Sequence, residues 1–123
     1  MSVKISELDD GMIIAEVTVA VASPALVDED ILAGPCKVHS MQGESKANAY
    51  FVKMFNDASP TLGTDKVDEQ EEIPTAGLDF DYGNEPLEFE EGLSITCTDA
   101  GTDAGVNLTN NAAVVNLVLS RGV

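Results

Sequence analysis

Tryptophan is absent from this chain of 123 residues, while histidine occurs once and cysteine twice. So few nitrogen and sulfur ligands exclude a zinc module, a multi-disulfide scaffold and a histidine-rich metal centre. Basic residues are almost as scarce. Lys4, Lys37, Lys46, Lys53, Lys66 and Arg121 stand against 22 acidic residues, giving a formal net charge of -16. A folded chain of this mass exposes roughly 6,000 Å², or about one net negative charge per 400 Å². Such a surface repels phosphate backbones and anionic headgroups, which excludes nucleic-acid and membrane-surface roles. Long apolar runs are missing too, since no segment approaches the ~20 residues needed to cross a bilayer. Gly11 to Ala25 comes nearest to a signal peptide, yet Glu16 interrupts it, and Glu7, Asp9 and Asp10 stand where a basic region belongs. A soluble protein with no export signal of its own is the expectation.

What the chain does have is material for one core, with 44% hydrophobic residues, and a pattern suited to strands. Large apolar residues alternate with carboxylates in Leu78-Asp79-Phe80-Asp81-Tyr82 and Leu87-Glu88-Phe89-Glu90, and with hydroxyls in Leu93-Ser94-Ile95-Thr96-Cys97-Thr98. Each reads as a half-buried antiparallel strand with its polar face in water. Asn48 to Phe55 and Ala113 to Leu119 are denser apolar runs, and Val17 to Ala22 and Cys36 to Met41 are further candidates. Clusters of Gly, Pro, Asn, Asp and Ser separate them at about ten-residue intervals. The expected fold is all-β, an antiparallel β-sandwich or jelly-roll-like domain of seven or eight strands and little helix, with one short helical turn at Val27 to Leu32. Residues 13–123 form this single domain and residues 1–12 an N-terminal arm ahead of the first strand. Phe80, Tyr82, Phe89, Leu93, Ile95, Val115, Leu117 and Leu119 are the expected core, and Asp79, Asp81, Glu88 and Glu90 face solvent.

Chemistry is harder to find. His39 is the lone imidazole, and strict alternation puts it on a face with Lys37 and Met41, opposite Cys36, so the two make no dyad. Cys36 and Cys97 read as buried free thiols. Asp79-Phe80-Asp81-Tyr82-Gly83 starts like a calcium loop, but glycine stands where a ligand is needed. Asp99 and Asp103, in the tandem Thr98-Asp99-Ala100-Gly101 and Thr102-Asp103-Ala104-Gly105, read as turn caps in a long exposed hairpin loop, with a cation held between them as the alternative. The ten glycines form no phosphate-cradling motif. With no catalytic residue, metal or cofactor indicated, the expectation is a protein that is not an enzyme.

One stretch carries a family likeness. Asn48-Ala49-Tyr50-Phe51-Val52-Lys53-Met54-Phe55-Asn56-Asp57-Ala58-Ser59-Pro60-Thr61-Leu62-Gly63-Thr64-Asp65, with Ile73-Pro74 beyond it, resembles a pattern of small virion proteins of tailed phages. There an aromatic-Lys-aromatic strand runs into a Pro-Thr-x-Gly-Thr-Asp turn and then a strand ending in Ile-Pro. Phe89-Glu90-Glu91-Gly92-Leu93-Ser94-Ile95 is similar to the family's Phe-x-x-Gly-Leu-x-Ile strand, and Arg121 matches an Arg near the end. The likeness spans residues 35 to 121, and residues 1 to 34 have no counterpart. The acidic run Asp68 to Glu72 departs from the apolar approach of the pattern. The resemblance implies an all-β sandwich, made in the host cytoplasm, that serves as a capsid decoration or cement protein on the outer surface of a tailed-virus head. Its partner is then the major capsid protein. A tail, connector or fibre-associated component is the alternative within the virion, and a carbohydrate-binding or adhesion module the alternative outside it. Contacts are expected away from the acidic region, through Met12, Ile13, Ile14, Leu26 and Val27, and through Lys37, Lys53 and Arg121 against acidic groups of a neighbour. A homotrimer held partly by the arm is the expected assembly.

Overall fold

The computed structural model describes residues 2–123, which hold nine strands and no helix. They are β1 (Ser2–Glu7), β2 (Ile13–Val19), β3 (Cys36–Gly43), β4 (Tyr50–Asn56), β5 (Glu69–Ile73), β6 (Leu78–Asp81), β7 (Leu87–Phe89), β8 (Leu93–Thr98) and β9 (Ala113–Arg121). All pairings are antiparallel. The large sheet runs β1-β2-β9-β3, with β6 and β7 sharing the far edge of β3, and the small sheet runs β5-β4-β8. The expected sandwich class therefore holds.

Alternation builds the large sheet. Ile13, Ala15, Val17 and Val19 of β2, and Ala113, Val115, Leu117 and Leu119 of β9, are buried, while the residues between them are not. They meet Tyr50, Val52, Met54, Ile73, Leu93, Ile95 and Cys97 of the small sheet in one core cluster. Of the expected core, Phe89, Leu93, Ile95, Val115, Leu117 and Leu119 are buried; Phe80 and Tyr82 are only partly so, because β6 is an edge strand with nothing beyond it.

The first twelve residues differ from expectation. Ser2–Glu7 is a strand in register with β2 rather than an arm ahead of the first strand. Leu8 N–H donates to Met12 C=O at 2.8 Å and Gly11 N–H to Leu8 C=O at 3.1 Å, closing a three-residue hairpin loop whose last residue, Gly11, takes φ +84°. Val27 to Leu32 is likewise not a helical turn. Its backbone lies along β8, with bonds between Asp28 and Ile95 in both directions and from Ile31 N–H to Leu93 C=O. Pairing with an exposed β8 edge outweighs weak local helix propensity. β5, Glu69 to Ile73, which only the Ile73-Pro74 likeness marked because its carboxylates have low strand propensity, is held by its ladder to β4.

A bulge corrects the reading of β3. Val38 pairs with Leu119 and Ser40 with Val118, so His39 is the extra residue. After it the inward parity shifts by one, and Met41 enters the core while Ser40 turns outward. The same residue divides the edge beyond β3, with β7 pairing residues 36–38 and β6 residues 40–43.

Candidate functional site

The outer face of the small sheet is the part of the fold the sequence hides best. Lys53, Phe55, Ser94, Thr96 and Thr98 point away from the core, yet all five are buried. Over Lys53 and Thr98 the cover is the tandem tetrapeptide, whereas Ser94 bonds Asp30 N–H and Asp57 C=O and Thr96 bonds Leu26 C=O. The chain from β8 to β9 is no exposed hairpin; it crosses from the small sheet to the large one and lies over this face on the way. Lys53 Nζ donates to Thr102 C=O at 2.7 Å and to Gly105 C=O at 2.6 Å. Gly101 permits the close approach, since a Cβ there would stand 2.8 Å from the Phe51 ring. Asp99 closes the base of the loop by accepting from Thr109 N–H and Oγ1–H, ten residues on, rather than capping a local turn. Burial holds the Lys53 pKa below its ordinary value, with Asp103 opposing that shift.

Lys46 repeats the device at the end of the same crossing. Its Nζ donates to Thr109 C=O at 3.0 Å and Asn111 C=O at 2.7 Å, over the ring of Tyr50. Asp28 is the opposite case. It is 8% exposed, and Oδ2 has no hydrogen-bond partner. Burial pushes its pKa up to about 6. Cys36 in β3 and Cys97 in β8 are buried free thiols, and burial raises the Cys36 pKa to about 11 and that of Cys97 further.

On the outer face of the large sheet the bulge turns His39 so that its Nε2 lies 2.8 Å from Ser120 Oγ. Only the β3–β9 register brings this pair within reach, and nothing in the local sequence of either residue signals it. A cleft of about 510 Å³ opens beside it, lined by Ile14, His39, Ser40, Gln42, Asp81 and Asn116 among others. No carboxylate hydrogen-bonds the ring among the described residues, so the pair lacks the orienting third member of a nucleophile triad.

The expected contact residues scatter. Ile13 is buried at 2% exposure and Lys53 at 0%, so neither can meet a neighbour: the first faces the core from β2, and the second is spent on its own loop. Met12, Val27 and Lys37 are half-buried. Ile14 and Lys37 flank β9 on the outer face, opposite Val118 and Ser120. Leu26 is exposed on the link from β2 to β3. Arg121 is exposed but engaged, donating to Leu32 C=O and to Glu7 Oε1 at 2.8 and 2.9 Å. No protein-family model matches the chain, nor does any curated protein or solved structure.

Proposed function

We propose that the chain is a non-enzymatic structural protein of a virus particle, seated on the outer surface of a tailed-virus head against the major capsid protein. The observation that carries this reading is the disposition of charge. Of the six bases, Lys46 and Lys53 are buried against loop carbonyls, and Lys4 and Arg121 are paired with Glu16 and Glu7. What remains at the surface is overwhelmingly carboxylate. Packaged nucleic acid repels such a shell, whereas water and counterions on the outside of a head accept it. The motif likeness over residues 35 to 121 and the sandwich fold it implies support the same location. Purified particles, imaged with and without the protein, test the reading. Extra density on the outer surface of the head is the expected result, and protein found only in tail fractions overturns it.

The cleft beside His39 favours a second reading, a carbohydrate-binding module, because amide, hydroxyl and carboxylate groups of Gln42, Asn116, Ser40 and Asp81 converge there. Glycan-array binding that disappears with Asn116→Ala supports it; an empty array removes it.

A further inference from the structure

The sandwich has four open strand edges, and they are not equally guarded. β5 carries Glu69, Glu71 and Glu72; β6 and β7 carry Asp79, Asp81 and Glu88; the segment along β8 carries Glu29 and Asp30. Each would repel a copy of itself. β1 differs. Its two charges, Lys4 and Glu7, cancel and are already engaged with Glu16 at 3.9 Å and Arg121 at 2.9 Å. It has no proline and no bulge, and Ile5 is 41% exposed beside Leu8 at 45%. Among the described residues, five of the seven exposed large apolar side chains, Ile5, Leu8, Ile14, Val21 and Leu26, belong to residues 2–26.

The backbone of this edge has a definite polarity. The bond from Leu8 N–H to Met12 C=O makes that pair hydrogen-bonded, and alternation then makes Ser2, Lys4 and Ser6 the residues bonded to β2. Val3, Ile5 and Glu7 direct their N–H and C=O groups off the open edge. We propose that β1 is the contact through which two copies of this chain pair, antiparallel and edge to edge, about a two-fold axis at Ile5. Only registers that place these three residues opposite one another satisfy the edge. The register centred on Lys4 sets two ammonium groups face to face. The register centred on Ile5 sets Ile5 against Ile5 of the second copy, Val3 against Glu7 and Lys4 against Ser6, and closes three hydrogen-bonded pairs. Both large sheets become one continuous sheet, and the acidic β6 and β7 edges lie at its far ends, which relieves repulsion between copies. The contact is isologous, so it closes at two copies rather than the three expected from the sequence. A six-residue strand falls short of the 20–30 residues a side of a standard interface, so pairing is weak, strengthens with salt and gains from crowding on a lattice.

Sedimentation equilibrium over rising protein concentration, in dilute buffer and in 1 M salt, tests this directly. The expected mass climbs from 12.9 kDa towards twice that value, and further in salt. Ile5→Pro removes one outward N–H without breaking a bond to β2, and Ile5→Lys puts like charges on the axis; both are expected to abolish the doubling while unfolding stays cooperative. The register is read by oxidising Lys4→Cys mixed with Ser6→Cys, against the silent background of the buried Cys36 and Cys97. A mixed disulfide forming several-fold faster than either variant alone supports the proposal. A monomer under all conditions, a limiting mass of three copies, or equal cross-linking of Lys4→Cys with itself overturns it.

Discussion

The two outer faces of this sandwich are written in the same residue types and end in opposite environments. On the large sheet Lys37, Gln42, Asn116 and Ser120 remain at least partly in water. On the small sheet Lys53, Ser94, Thr96 and Thr98 are buried beneath loops. The difference lies in what crosses above each face. Two glycines and two carbonyls of the tandem tetrapeptide turn Lys53 from a surface charge into a structural one, and a buried polar group with its partners satisfied is far more sensitive to substitution than an exposed one.

Replacing Lys53 with Met is the largest test of that contrast. It keeps most of the bulk but leaves the carbonyls of Thr102 and Gly105 unpaired, with an expected loss of roughly 3–5 kcal/mol in urea unfolding. Amides of residues 99–107 should exchange faster in the same variant. Asp28→Asn tests the one buried polar side chain without a partner among the described residues. Its folded pKa of about 6 lies above the ordinary 3.8, so the protonated form is favoured by folding, and stability is full at low pH and is lost as pH rises through about 4 to 6. The Asn variant should flatten that slope and gain about 2–3 kcal/mol at pH 7; an unchanged profile would mean the carboxylate is solvated. Thr96→Val, which removes the bond to Leu26 C=O at 2.7 Å, should cost about 1 kcal/mol. Lys37→Ala, the counterpart of Lys53 on the open face, should stay within about 0.5 kcal/mol. Equal effects at the two lysines would erase the distinction between the faces.

How far the sequence could be read follows the same division. While β9 showed as a dense apolar run, period-2 alternation located β6, β7 and β8 and identified Phe89, Leu93 and Ile95 as core, because burial against the opposite sheet is what alternation encodes. It also marked Ser94, Thr96 and Thr98 as turned away from the core, but it could not say that a distant loop covers them. His39 shows a second limit: one inserted residue reverses the parity of everything after it, so Met41 was assigned to the wrong face and the Ser120 contact was invisible. Two of the edge strands, β1 and β5, were the hardest to see. β1 is exposed and β5 is rich in glutamate, and both owe their form to partners elsewhere in the chain.

The position of β9 carries a further consequence, for the order of folding. It is the last strand in the chain, yet it lies between β2 and β3 and pairs with both. Until it arrives, β2 and β3 have no shared neighbour, and each keeps an open edge through the synthesis of every strand between them. Dominance of such distant pairings slows folding into the millisecond-to-second range and leaves sticky intermediates in the meantime. The heavy negative charge then acts before the native state exists, keeping one unfinished chain away from the next while the centre of its main sheet is still missing.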